Sequence, residues 1–182
     1  MKHSYFYFKN VFSIPEIKTI NDKFLSSGNY NTDPAPFDKK TITVRYHDFG
    51  EVKNIIGKAN QCVDYANKHA FGFDVHPLLD METILHNMYD SSVKASYDLH
   101  CDGEAYDKNF TTKLTGLVNL SEDDYEGGYF EIFDGSKIKR LKELDEPGDM
   151  VVIKSDIPHR VTQVTKGTRM SLVILRSGPW WR

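Results

Sequence analysis

Three side chains in this sequence could hold a metal ion between them. His100 and Asp102 stand two residues apart in Tyr97-Asp98-Leu99-His100-Cys101-Asp102-Gly103, and His159 follows far downstream in Ile157-Pro158-His159-Arg160. Residues i and i+2 of an extended strand point to the same face, so His100 and Asp102 can converge on one ion while Cys101 points away into the wall. Two neutral imidazoles and one carboxylate form the facial triad that suits non-haem Fe(II) and leaves coordination positions open. An H-x-D tripeptide alone arises often by chance, so the case rests on its surroundings.

The surroundings of His159 supply a second kind of chemistry. Residues 160–169 read as a hairpin with Lys166-Gly167 near its tip, which places Arg169 on a strand next to that of His159. A guanidinium there can pair bidentately with a carboxylate, as a dicarboxylate cosubstrate requires. The bland alternative is an exposed hairpin arginine. His3, His47, His69, His76 and His86 have no partner at ligand spacing and read as core or surface histidines.

These residues need a scaffold. The chain has 182 residues, 40% hydrophobic and 27% charged, enough for one domain with a sizeable core. The formal net charge is -3 without a long run of one sign, which argues against a nucleic-acid or membrane binder. Two cysteines, Cys62 and Cys101, make no disulfide framework, and no signal-peptide pattern or membrane-length apolar run occurs, so a cytoplasmic location is expected.

The first part of the chain reads as a helical brace over about 13–70. A short aromatic strand covers 5–9. Ser13-Ile14-Pro15-Glu16 opens a helix with a capping box and Pro in the first turn. Asn29–Lys40 is a polar loop with Pro34 and Pro36, a lid or clamp as readily as a solvated connector. Residues 41–47 alternate as a strand. Residues 51–70 form a second helix, with Val52, Ile55, Ile56, Ala59, Cys62, Val63, Ala66 and Ala70 as one apolar stripe. From about 81 to 177 the pattern changes to eight short strand-like segments separated by turn residues. That pattern fits a double-sheet jelly roll, so the expected fold is mainly β, with helices packed on one face of a sheet, in one domain spanning 1–182.

In order and spacing, several motifs resemble the 2-oxoglutarate- and Fe(II)-dependent dioxygenases of the prolyl 4-hydroxylase type, above all the small bacterial and phage PKHD-type hydroxylases. They are Met88-Tyr89, Tyr97-x-x-His100-x-Asp102, Glu126-Gly127-Gly128-Tyr129-Phe130, Pro147-Gly148-Asp149, His159-Arg160-Val161 and Gly167-Thr168-Arg169. The likeness covers about 81–177. It implies a double-stranded β-helix, cupin-like in form, with iron held by His100, Asp102 and His159. It implies that Arg169 binds the distal carboxylate of 2-oxoglutarate and that Tyr89 and Tyr97 line the cosubstrate and substrate pocket. Where some prolyl hydroxylases add a strand tyrosine, this chain has Val118 or its neighbour Leu117. The activity implied is hydroxylation of an unactivated C–H, most commonly of a peptidyl proline, with O2 as oxidant, 2-oxoglutarate decarboxylated to succinate, and ascorbate as a candidate reductant. Peptides, proteins or free amino acids are the implied substrates, selected by loops 29–40, 91–96 and 104–110.

Three other readings stay open. An AlkB-like nucleic-acid demethylase shares the triad, and Arg176 and Arg182 sit six apart as that family's arginines do, but the residues between them lack its Asn and Thr. A non-catalytic jelly-roll module could keep the metal and 2-oxoglutarate sites without turnover. A cupin-type isomerase would place a histidine where Asp102 stands. Trp180 and Trp181 read as a cap on the core edge or a dimer contact, with a substrate platform as the alternative.

Overall fold

The computed structural model describes residues 4–26, 29–31, 41–102 and 110–180. In chain order these form β1 (Tyr5–Phe8), α1 (Ile14–Ser26), β2 (Asn29–Asn31), β3 (Thr43–Asp48), α2 (Phe49–Ala66), β4 (Thr83–Asp90), β5 (Tyr97–His100) and β6 (Phe110–Asn119). They continue as β7 (Glu126–Gly127), β8 (Phe130–Phe133), β9 (Ile138–Arg140), β10 (Met150–Lys154), β11 (His159–Val161), β12 (Val164–Lys166) and β13 (Thr168–Pro179). Most of the loops 29–40 and 104–110 suspected of choosing the substrate, together with Trp181 and Arg182, lie outside the described residues.

Seven strands form a major sheet in the order β1-β10-β6-β13-β4-β3-β2, and four form a minor sheet in the order β5-β11-β8-β9. A small ribbon of β12 and β7 joins them at one end. This is the double-sheet β body that the strand pattern predicts. Ten strands lie between 83 and 179 where the sequence suggests eight segments: β7 precedes β8, and the segment 160–164 divides into β11 and β12.

The major sheet has two apolar faces, as alternation requires of a sheet covered on both sides. One face carries Ile84, Leu114, Val118, Met150, Val152, Leu172 and Ile174 and packs on α1 and α2. The other carries Leu117, Val151, Ile153 and Val173 and packs on Phe130, Ile132 and Val161 of the minor sheet. The helix contact is close at Gly116, where an added Cβ would lie 2.7 Å from Val63 Cγ2.

The brace has the expected elements with shifted ends. The α1 start uses the capping box in part: the Ser13 amide and hydroxyl both donate to Glu16 Oε2, at 2.9 and 2.8 Å. The second helix is regular only to Ala66. Asn67–Phe71 widens into a π turn, and Gly72 in the left-handed region (φ 69°) ends it. Pro147-Gly148-Asp149 serves the brace as well. Asp149 is fully buried and accepts hydrogen bonds from Lys9 Nζ and, at 2.9 Å, from the Asn10 amide, while Gly148 O accepts from the Val11 amide at 2.8 Å. The motif thus fastens the β1–α1 connection to the start of β10.

Candidate active site

His100 ends β5 and His159 begins β11, and the two are Cα partners in the antiparallel ladder of the minor sheet. Asp102 follows β5, held by its amide to Ser155 O at 2.9 Å. One ligand atom from each of His100, Asp102 and His159 lies within 4.8 Å of the others, and among the described residues this is the only such cluster of three or more metal-binding side chains. Cys101 turns away, as i+1 geometry predicts, with Sγ 3.4 Å from Asp156 O.

The donor chemistry suits a cation. His100 Nδ1 lies 2.7 Å from Asp98 O and His159 Nδ1 lies 2.9 Å from Ile157 O, in each case the carbonyl two residues upstream. A carbonyl only accepts, so each Nδ1 carries the proton and each neutral ring presents the Nε2 lone pair. Those lone pairs face the carboxylate: His100 Nε2 is 3.5 Å from Asp102 Oδ1, and His159 Nε2 is 3.3 Å from Oδ2. Three electron-rich atoms converge without a donor of their own, a set that a metal cation satisfies. Burial pushes the Asp102 carboxyl pKa up, but positive charge at the Nε2 edges of His100 and His159, a proton there or a cation bound in its place, outweighs it and holds the group well below the usual carboxylate range. A carboxylate that stays ionised is what a metal ligand must be.

One partner was not legible in the sequence. Thr115 on β6 donates its hydroxyl to Asp102 Oδ2 at 2.8 Å, and its Oγ lies 3.1 Å from Ser155 Oγ. Such outer contacts fix the angle of a ligating carboxylate. Its one sequence signal is a hydroxyl at a position of β6 whose parity faces the minor sheet.

The floor of the site belongs to the major sheet. A cavity of about 90 Å³ is lined by the triad, Tyr97, Phe130 and alternate residues of four strands, among them Val44, Asn87, Tyr89, Leu117 and Val173. A larger open cleft of about 690 Å³ runs along Ser4–Tyr7 and Lys139, and none of the triad lines it. On β13, Arg169 and Ser171 share the parity of the cavity-lining Val173 and Leu175. Arg169 is 1% exposed, and Nη1 donates to Ser171 Oγ at 3.3 Å. Among the described residues no carboxylate pairs with it. A buried guanidinium without an acid is a site for an anionic ligand.

The hairpin expectation fails in one respect. Arg169 is not on a strand next to that of His159: β11 pairs with β5 and β8, whereas β13 pairs with β4 and β6 in the other sheet. Between them β12 pairs with β7, and Gly167 (φ 70°) turns the chain from the ribbon into the major sheet. Arg169 therefore stands in the sheet opposite that of the two histidines, with the parity of the residues that line the cavity.

Parity also sorts the other candidates. Tyr89 is buried on the cavity side of β4, and Tyr97 stacks on the His100 ring, centroids 3.6 Å apart and planes 15° from parallel. Leu117 lines the cavity while Val118 packs toward the helices, so the strand-tyrosine position is apolar on the cavity side. Arg176 has the opposite parity to Arg169. It contacts Asn60 Oδ1 at 2.7 Å and Asp64 Oδ1 at 2.9 Å on α2, so it does not reach the cavity as the AlkB-like reading needs. His86 points to the helices, with Nε2 2.9 Å from Asn21 Oδ1, and is a core histidine. Trp180 is 44% exposed and does not line the cavity.

The structure is similar throughout its length to known oxygenases. A Pseudomonas putida prolyl-4-hydroxylase superposes with a TM-score of 0.75 at 16% identity, covering 98% of this chain and 95% of that one. A viral collagen prolyl hydroxylase from Paramecium bursaria Chlorella virus-1, solved with 2-oxoglutarate, gives a TM-score of 0.75 at 16% identity, with 97% of each chain covered. A Trichoplax adhaerens prolyl hydroxylase in complex with a hypoxia inducible factor peptide gives 0.71 at 14% identity, covering 96% and 84%. At these identities the likeness establishes the fold. No curated protein matches the chain in sequence. The sequence model of the 2OG-Fe(II) oxygenase superfamily matches residues 84–175, just over half of the chain, a stretch that holds His100, Asp102, His159 and Arg169. The match and the convergent site agree: this chain belongs to the 2OG-Fe(II) oxygenase superfamily.

Proposed function

We propose that this chain hydroxylates an unactivated C–H of a peptidyl prolyl residue, using Fe(II), O2 and 2-oxoglutarate. The observation that carries the cosubstrate is Arg169: a buried guanidinium without an acidic partner among the described residues, in a family defined by a dicarboxylate cosubstrate. His100, Asp102 and His159 would hold the iron, Arg169 the distal carboxylate, and Tyr89 and Tyr97 the walls of the pocket. With iron, O2 and 2-oxoglutarate, the site supplies a two-electron oxidation in which one oxygen atom enters succinate, with loss of CO2, and the other enters the substrate C–H. The protein's own residues orient the carboxylate of Asp102 through Thr115, hold the His100 ring against Tyr97, and keep water from the reacting atoms with an apolar wall.

The choice of a prolyl target rests on three of the similar solved structures, which are prolyl hydroxylases, one of them with a peptide bound. The wall supports it, because Ile42, Val44, Leu85, Val161 and Leu175 suit an aliphatic ring better than a polar side chain. The chain acts as one catalytic domain. Both cysteines are free, in keeping with a reducing cytoplasm, and no helix among the described residues is long and apolar enough to cross a membrane.

The test is succinate release with Fe(II), 2-oxoglutarate, ascorbate and a panel of proline-containing peptides. Turnover that rises with a peptide and disappears in His100→Ala is expected. Absence of succinate in every condition, with no difference between wild type and His100→Ala, overturns the enzyme reading. Turnover with alkylated DNA and none with peptide replaces the prolyl reading with the demethylase.

A further inference from the structure

The major sheet is left open at β1. Tyr5–Phe8 pairs with β10, and among the described residues it has no neighbour on its other side. Natural edge strands are guarded against self-pairing by a charge, a proline or a bulge. Ser4-Tyr5-Phe6-Tyr7-Phe8 has no charge and no proline, and β1 pairs with β10 in unbroken register from Tyr5 to Phe8. The strand is guarded only where it ends, at Lys9, which Asp149 holds, and at Asn10, whose φ of 55° turns the chain out of the sheet.

Both faces of this edge expose aromatic surface. Tyr5 and Tyr7 share the face toward the minor sheet, and Tyr7 is 48% exposed in the open cleft of about 690 Å³. On the helix face Phe6 and Phe8 pack on Tyr65 of α2, with ring centroids 6.1 and 5.9 Å apart, and Tyr65 is 51% exposed. The cleft carries groups suited to a phenol. Lys139 Nζ lies 4.6 Å from the centre of the Tyr5 ring and donates to its hydroxyl at 2.9 Å, and Asp134 lines the same cleft.

We propose that β1 is the interface of a symmetric dimer, in which the β1 strands of two copies of this chain pair antiparallel and join their major sheets edge to edge. Symmetry restricts the register, because a two-fold axis normal to a sheet sets one residue opposite itself. Centred on Phe6, the axis pairs Tyr5 with Tyr7 and Ser4 with Phe8 of the second copy. That register uses the whole uncharged stretch and stops before Lys9, whereas one centred on Tyr7 sets Lys9 opposite Tyr5. Directly opposed residues share a face, so Tyr7 of each copy enters the cleft of the other beside Tyr5, where Lys139 and Asp134 meet its ring and hydroxyl. On the helix face the small Ser4 leaves room for Phe8 and Tyr65 of the second copy. No like charges oppose one another along this ladder. The pairing uses up both edges at once, so the assembly closes as a dimer and does not grow. The cleft and the triad cavity share no lining residue, so both metal sites stay open.

The experiment is sedimentation equilibrium of the full chain over a concentration series, with backbone amide exchange as a second readout. Wild type is expected to reach the mass of two chains, with exchange at Tyr5–Phe8 slowing as concentration rises. Tyr7→Lys places a charge on each edge and in each cleft beside Lys139, and weakens association about tenfold or more. Met81→Lys also adds a charge at an exposed apolar side chain (77% exposed), but beside the start of α2, and leaves association unchanged. Far-UV dichroism verifies that each variant is folded; Tyr65→Lys provides the same readout from the helix face if Tyr7→Lys is not. Wild type with the mass of one chain throughout overturns the proposal, as does a dimer that Tyr7→Lys leaves intact or exchange at Tyr5–Phe8 that ignores concentration. A single chain whose Tyr5–Phe8 amides are protected only when the proline-containing peptides of the succinate assay are added gives this edge to a peptide and overturns the dimer.

Discussion

Arg169 and Tyr89 are direct cross-strand partners on β13 and β4, and the guanidinium carbon lies 5.2 Å from the centre of the tyrosine ring. Burial pushes the Tyr89 hydroxyl pKa up to about 12, with Asp102 adding to the rise and Arg169 and Asn87 opposing it. The phenol therefore keeps its proton at any physiological pH and remains a donor beside a fixed cation. Arg169→Leu removes the charge-assisted bonds to a carboxylate, about 1.5–3 kcal/mol or roughly 10–100-fold in affinity. Calorimetry of 2-oxoglutarate on Mn(II)-loaded protein checks this, with Mn(II) affinity itself unaffected.

Thr115→Val deletes the hydroxyl that holds Asp102 and keeps the branched shape of the side chain. Loss of such an outer partner lowers metal affinity about 10–100-fold. A competitive chelator titration measures it. Retention of wild-type affinity would show that Ser155, also near this network, orients the carboxylate alone.

Gly128 stands against the arginine. Its φ is +60°, and an added Cβ would lie 2.9 Å from Arg169 Cδ and 2.9 Å from Val164 Cγ2. Gly128→Ala combines a left-handed backbone with a clash, at about 1–3 kcal/mol. Because Arg169 must shift to admit the methyl, affinity for 2-oxoglutarate falls along with the urea midpoint. A stability loss without an affinity loss refutes the link between this motif and the anchor.

The core histidine sets an acid limit on stability. Burial, with help from Arg45 and His47, lowers the His86 pKa to about 4, against an unfolded value near 6.5. Below about pH 6.5 the unfolded chain takes up a proton that the folded one refuses, so stability falls as pH drops from 6.5 toward 4 and is flat above. The full loss is about 3 kcal/mol. Urea melts at pH 7 and pH 4.5 measure it, and His86→Gln should show a smaller difference between the two. An equal difference in both proteins assigns the acid sensitivity to other groups.

Much of this architecture was legible, for reasons that differ by element. The triad could be read because i, i+2 parity is intrinsic to a strand and because the motifs around it stand in the order and spacing of a known family. Alternation on β13 likewise separates Arg169 from Arg176. The hairpin placement of Arg169 failed because a turn signal such as Lys166-Gly167 reports a change of direction, not which strand lies alongside. Here the chain changes sheets at that turn. Thr115 was silent because a polar residue on a strand acquires meaning only from the face it shares and the residues across the ladder.

The side chains that could bind a metal come from the minor sheet and its edge, the proposed carboxylate anchor from the major sheet, and apolar packing by residues such as Leu117, Phe130 and Val173, with the Thr115–Asp102 hydrogen bond, sets their separation. The gap is therefore a ruler for its ligand. A diacid shorter or longer by one carbon meets one end and misses the other, and trimming Leu117 resets the scale, so that the hydrophobic core, without touching the chemistry, chooses the length of the molecule that fuels it.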